Sequence, residues 1–433
     1  MLGALKGQLS PAIALSEEYE SRQSLRIIDE RTGKEYKVPI RHNTVEAKGF
    51  LQIRAPGGPP LHVLDPGLMN TCVAGSRISF IDGEKGILRY RGYPIEHLAE
   101  KSSYEEVVFL LIYGDMPTPH QLEEFVSKLA LLSAMPEQIK SLIRSFDRHA
   151  EGLSFVEPQT DLGLVGSFLQ MIDNAPPSPT IARALEVLMI LHAEHEMNCS
   201  TAAVRHVASS HADLYISLAA GVAALYGPRH GAANEAAVRM LRRIAAPSHV
   251  PQFLENVKRR EEKLMGFGHR IYKSYDPRAF IVRQVARVVF ATLGPSDLSN
   301  VATALEKAAL KDVYFTSRRL YPNIDFYSGV VYTQLGFAPN SFPLLFAVAR
   351  LAGWAAHLNE YHQMAPNAEE ARMVRPLQVY RGQGERREEI LRKEREQVCL
   401  APNRLRRVPR CMAKQKVQKC KHPRFCHVIE CYG

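Results

Sequence analysis

Three short segments of this 433-residue chain gather side chains able to move protons or hold anions. The first, Tyr226-Gly227-Pro228-Arg229-His230-Gly231-Ala232-Ala233-Asn234-Glu235, sets a histidine in a turn fixed by Gly and Pro, just ahead of a helical run. The second, Gly266-Phe267-Gly268-His269-Arg270-Ile271-Tyr272-Lys273-Ser274-Tyr275-Asp276-Pro277-Arg278, places His269 ahead of several cations. The third, Tyr321-Pro322-Asn323-Ile324-Asp325-Phe326-Tyr327-Ser328-Gly329, surrounds one acid with aromatic and apolar neighbours. Histidine and carboxylate are the usual carriers of general acid–base work, and arginine offers a planar fork for carboxylates. Taken singly each segment has a bland explanation: a histidine beside Gly is usually a hydrogen-bonded structural residue, and an Asp in such a stretch is commonly a helix N-cap. What separates the readings is their joint occurrence.

The elements that must position these loops are mostly helical. Leu25 to Asp29 and Tyr36 to Ile40 read as strands about a Thr32-Gly33 turn, and Ser79 to Ile81 with Ile87 to Tyr90 as a hairpin about Asp82 to Gly86. From about Tyr104 onward apolar residues recur at helical spacing, with Gly and Pro as punctuation. Ile181 to Glu194 and Phe342 to Glu360 are apolar on more than one face, which places them inside a bundle or a subunit interface. The expected architecture is mainly α, with short N-terminal β-hairpins, a large helical domain and a smaller inserted helical one. Its divisions are an N-terminal extension over residues 1–50, a large domain over 51–230 and 333–385, a small domain over 231–332, and a basic, cysteine-rich and disordered tail over 386–433.

The net charge of +10 invites a nucleic-acid reading, but residues 381–433 carry 15 Lys and Arg against 6 Asp and Glu, so the body of the chain is close to neutral. Five of the seven cysteines also lie in that tail, which suits a reducing, intracellular setting without structural disulfides. Every apolar run is broken by charge within about a dozen positions, short of the roughly 20 residues of a membrane span. His192 and His195 stand at i, i+3, not at the i, i+4 spacing of zinc proteases, and no metal site is expected there. The tail cysteines are mostly too far apart for zinc ligation. No Walker or dinucleotide glycine fingerprint is present. The first sixteen residues hold one Lys and no Arg, a poor mitochondrial address, and the closing Cys-Tyr-Gly is not a Ser-Lys-Leu type peroxisomal signal.

Together the three segments resemble the citrate synthases. The Gly-aromatic-Gly-His block followed by Asp-Pro-Arg is complete in Gly266 to Arg278, and the Gly-Pro-x-His-Gly and Asn-x-Asp-Phe-Tyr-Ser-Gly blocks stand in the family's order. Phe80 to Leu88, Tyr90 to Ile95 and Leu191 to Asn198 match further blocks, so the likeness spans about Leu25 to Gly382. It implies a homodimeric enzyme that condenses acetyl-CoA with oxaloacetate, with CoA thioester as substrate and no cofactor. It also implies Asp325 as the base, His230 as donor to the thioester oxygen and His269 as donor to the ketone oxygen. His195, Arg278, Arg350 and Arg375 match the oxaloacetate contacts, the last of them given across the dimer interface. Arg270 and Lys273 are candidates for the CoA phosphates. Arg229 departs from the pattern, and its charge is expected to favour neutral His230. The alternatives are 2-methylcitrate synthase, which uses propionyl-CoA, and a non-catalytic relative that binds nucleic acid or a partner through its tail.

Overall fold

A computed structural model describes residues 23–132, 162–173, 175–364 and 373–382. It divides into two compact units, Met1–Val374 and Arg375–Gly433, and every regular element described below belongs to the first. The cysteine-rich tail of residues 386–433 lies outside the described residues.

Six short strands precede the helices. β1 (Ser24–Asp29), β2 (Lys34–Arg41) and β3 (Thr44–Val45) form one antiparallel sheet in that order, and β4 (Ser79–Asp82), β5 (Ile87–Tyr90) and β6 (Tyr93–Pro94) form another. The first helices are α1 (Ile95–Lys101), α2 (Tyr104–Tyr113), α3 (Pro119–Leu132), α4 (Gly163–Asp173), α5 (Pro179–His192), α6 (Cys199–Ala208) and α7 (Leu214–Leu225). They are followed by α8 (Ala233–Ile244), α9 (Val250–Lys258), α10 (Pro277–Leu293), α11 (Asp297–Lys311), α12 (Val313–Thr316), α13 (Ile324–Gln334) and α14 (Phe342–Met364). The mainly helical expectation and both hairpins stand, the hairpins within two residues of their expected ends.

Local chemistry sets where these helices begin. Ser103 and Glu106 form a reciprocal capping box on α2, while Asn198, Asp213, Asp276 and Asn323 each accept a backbone N–H at the start of α6, α7, α10 and α13. Three of those four caps, Asn198, Asp276 and Asn323, stand within three residues of a candidate site residue, so the caps that start the helices also fix the loops that carry the chemistry.

Helix α14 organises the large core, packing on α2, α5, α6 and α7. Trp354 and Phe342 on this helix are fully buried. Residues Pro339–Gln363 have the length and composition of a membrane span, which the sequence reading did not allow for, but 72% of the apolar window is buried within the fold. That is the pattern of a core helix. A second layer packs α13 on α8 and α10, and α10 in turn on α5. Residues 231–332, the expected small domain, supply α8 to α12 and most of α13.

The β4–β5 hairpin has a supporting task. Gly83 O accepts the N–H of Lys273 at 2.8 Å, and a Cβ on Gly83 would collide with the Ile271 carbonyl. The hairpin tip is thus pressed against the loop that carries His269, and a larger residue at position 83 would displace it.

Candidate active site

His269 sits in a loop tied at both ends. Gly268 N donates to Tyr321 O (2.7 Å), Asn323 N donates to Gly266 O (2.9 Å), and Asn323 Nδ2 donates to Gly268 O (2.8 Å). Gly266 has φ +77°, and a Cβ there would lie 2.9 Å from the Phe326 Cα, so close backbone approach and left-handed conformation both require glycine. These bonds stitch the His269 loop to the segment that begins α13 and carries Asp325.

The protons on the two loop histidines can be assigned from their neighbours. Backbone N–H groups of Ile271 and Tyr272 both point at His269 Nδ1, at 3.1 and 3.3 Å. Nδ1 is therefore the acceptor, and the remaining proton belongs on Nε2. At His230, Nε2 meets the backbone N–H of Ser200 at 3.3 Å and its hydroxyl at 2.9 Å. The hydroxyl proton goes to Asn198 Oδ1 at 2.7 Å, but the backbone N–H can only donate, so Nε2 is the acceptor and the proton of His230 belongs on Nδ1. Ser200 is held in turn by Trp354 Nε1, which donates to its hydroxyl at 3.2 Å.

Both rings are neutral donors near pH 7. Burial, followed by the nearby Arg350 charge, brings His230 down to about 4. Burial and then Arg278 do the same for His269, against a smaller opposing pull from Asp276. Contrary to the expectation from Arg229, that residue is exposed and the charge that acts on His230 is Arg350, distant in sequence.

Asp325 occupies the second position of α13 and does not cap it. Asn323 Oδ1 takes that role, accepting the Asp325 N–H at 3.0 Å, which leaves the Asp325 carboxylate free for other work. Burial pushes Asp325 up to about 6, with Arg278 and Arg350 pulling it back and Asp276 adding to the rise. A carboxylate of that basicity is still ionised at pH 7 and is a better proton acceptor than a free one.

Three buried side chains complete the cluster. His195 lies with its ring 5.4 Å from that of His269, and burial, then Arg278, His269, Arg350 and His230, hold it well below the ordinary histidine range. Arg278 forms a two-pronged pair with Asp276, Nε to Oδ1 and Nη2 to Oδ2, both 3.0 Å. Burial works against its charge, but Asp276 more than compensates and raises it. Arg350 is only 1% exposed, donates from Nε to His192 O at 2.5 Å, stacks 4.8 Å from the Phe346 ring, and has no carboxylate in ion-pair distance among the described residues. Burial brings its guanidinium down to about 10.

Beneath this cluster runs a second polar layer. His357 Nε2 lies 3.2 Å from Glu194 Oε1, and Arg205 pairs with Glu360 at 3.3 Å, all four being buried. Because Glu194 directly precedes His195, this layer anchors the backbone that presents His195.

The structure thus brings together His195, His230, His269, Arg278, Asp325 and Arg350. Arg270 and Lys273 are exposed, Arg270 resting on Gly67 O and the Met69 sulfur. Arg375 opens the second compact unit, with an exposed side chain. Ser200, Asn323 and Asp276 act on the site without having been singled out from sequence for those tasks. Among the described residues no group of three or more His, Cys, Asp or Glu side chains could hold a metal, and His192 is turned away on Leu188 O and Phe346.

Comparison with known proteins agrees with this geometry. The family model described as citrate synthase, C-terminal domain, matches residues 67–156 and 145–377. A peroxisomal citrate synthase of Dictyostelium discoideum is 41% identical over 84% of this chain and 86% of its own length. A glyoxysomal citrate synthase of Cucurbita maxima is also 41% identical, over 83% of this chain and 82% of its own. The crystal structure of citrate synthase from Pyrobaculum aerophilum aligns with a TM-score of 0.66 at 36% identity, covering 77% of this chain and 95% of that one. The citrate synthase of Thermoplasma acidophilum, solved as a ternary complex with carboxymethyl coenzyme A and oxaloacetate, aligns with a TM-score of 0.66 at 30% identity, over 75% of this chain and 98% of that one. Matched along most of its length by sequence and by fold, the chain belongs to the citrate synthase family of acyl-transferring condensing enzymes.

Proposed function

We propose that this enzyme makes citrate from oxaloacetate and acetyl-CoA, and that His230, His269 and Asp325 do the chemistry. The observation that carries the reading is the pairing of two neutral histidine donors with one carboxylate of raised basicity in a single half-buried cluster. In this reading Asp325 takes a proton from the acetyl methyl group while His230 Nδ1–H supports the enolate oxygen that forms. The new carbanion centre attacks the ketone carbon of oxaloacetate, whose oxygen gathers charge against His269 Nε2–H. Water then cleaves the thioester and CoA leaves. His195, Arg278 and Arg350 hold oxaloacetate, and Arg270 and Lys273 are assigned to the CoA phosphates. No further cofactor has a part in these steps.

The propionyl-CoA reaction, giving 2-methylcitrate, would use the same residues, and one methylene in an apolar pocket is worth only about 1 to 3 kcal/mol. The deciding measurement is CoA release from oxaloacetate with each thioester in parallel. Turnover is expected with both, and a higher kcat/KM with acetyl-CoA; a reversed preference would move the assignment to methylcitrate, and no turnover with either would favour a non-catalytic relative.

We also assign Arg375 to a partner subunit's site, and the second layer, residues 231–332, to a domain that closes on oxaloacetate. A dimer is supported by α7, on which Leu214, Tyr215, Ile216 and Val222 are exposed, with Tyr226 just beyond its end. Apolar side chains at this density on one helix are characteristic of an interface. Ala219, exposed in the midst of them, offers a probe. Wild-type protein is expected to sediment as a dimer, and Ala219→Glu to shift it toward monomer with loss of most activity. A fully active monomer would remove both the dimer and the role of Arg375.

A further inference from the structure

Tyr272 makes contact with both histidines expected to face oxaloacetate. It is 3% exposed, and its hydroxyl lies 3.2 Å from His195 Nε2, the one hydrogen bond this phenol makes among the described residues. Its ring centroid is 4.7 Å from that of His269 and 5.7 Å from that of His195, closing a triangle whose third side is the 5.4 Å between the two imidazoles. Its backbone N–H also helps fix the His269 tautomer. His195 follows α5 in the large layer, whereas Tyr272 belongs to the loop before α10. One side chain therefore spans the two layers at the point where substrate is expected.

We propose that Tyr272 is a positioning residue for oxaloacetate, its hydroxyl donating to His195 Nε2 and so holding the His195 ring in register with His269. This rests on the oxaloacetate-binding reading above. A buried phenol needs a partner, and a neutral imidazole offers one accepting nitrogen, so the bond fixes the His195 proton on Nδ1. Burial holds the phenol in its protonated form, as donation requires. Without the hydroxyl, His195 is free to turn or to exchange tautomer, and part of the binding energy of oxaloacetate goes into ordering it. The ring of Tyr272 and its backbone bond to His269 would remain, so the chemical step is spared.

Tyr272→Phe tests this. The expected result is a KM for oxaloacetate raised about tenfold, the worth of one such hydrogen bond, with kcat within about threefold and KM for acetyl-CoA unchanged. His195→Asn closes a double-mutant cycle, and in that background Tyr272→Phe should have no further effect on oxaloacetate affinity. Additive effects, or an unchanged KM in the single variant, would overturn the proposal. On the unaltered protein, 15N-histidine NMR, with the His195 signal identified by its loss in His195→Asn, should show an unprotonated, hydrogen-bonded Nε2; a proton on Nε2 would also overturn it, whether or not the Phe variant folds. Failure of the underlying reading looks different: the wild type itself would then neither release CoA nor bind oxaloacetate.

Discussion

Asp325→Asn is expected to lower the rate of CoA release by roughly 10² to 10⁴, the usual worth of a positioned general base, while oxaloacetate still binds. The amide keeps the size of the carboxylate but cannot take the methyl proton. Because Asn323 already caps α13, the substitution removes no cap, and the variant should fold. The same assignment fixes the sign of the pH dependence. With Asp325 near 6 and His230 and His269 near 4, the first of the three to change state on acidification is Asp325. It gains a proton and ceases to be a base, so kcat should be level above about pH 7 and fall through the region of 6, with the slope of a single ionisation. Near wild-type turnover in the Asn variant, with acetyl methyl protons exchanging into solvent as before, would remove Asp325 from the role.

Contrasting parts of this site were readable from sequence to different degrees, and locality explains why. The histidines, Asp325 and Arg278 stand in short Gly- and Pro-rich segments whose residue types are unusual together, and the helical periodicity of the segments between them is strong. Asn323 illustrates the limit. A Pro-Asn-Ile-Asp stretch offers two candidate caps, and only the backbone of α13 decides that Asn323 accepts the N–H and Asp325 stays free. Arg229 illustrates it from the other side: adjacency in sequence suggested that it sets the His230 charge, whereas the acting cation is Arg350, brought in by α14. Charge acts through space, and spatial neighbours far apart in the chain leave no local pattern. Ser200 was hidden for the same reason, since its task depends on α6 meeting both His230 and Trp354.

Arg350 gives the other large expected effect, because its burial makes sense only with an anion. A guanidinium taken out of water costs several kcal/mol unless it is paired, and among the described residues this one has a single hydrogen bond, to His192 O, and an aromatic ring beside it. Glu194 and Asp325 lie near enough to favour its charge, yet not near enough to form an ion pair, and its lowered basicity records the imbalance. Oxaloacetate brings a carboxylate that would complete the pairing. Arg350→Met should therefore weaken oxaloacetate binding by about 10² to 10³, as expected when one member of a buried charge pair is removed. The ligand-free protein should behave differently, because methionine fills much of the same apolar volume and carries no charge to desolvate. Its melting temperature should match or exceed that of the wild type. Thermal melts with and without oxaloacetate separate the two effects. At a hundred times its Kd the ligand stabilises the wild type by about 2.7 kcal/mol, whereas the same concentration should stabilise the variant by no more than about 0.4 kcal/mol. A variant stabilised by oxaloacetate as much as the wild type would show that the anion is held elsewhere, and a ligand-free melting temperature far below that of the wild type would make Arg350 a structural strut whose charge the fold has already satisfied.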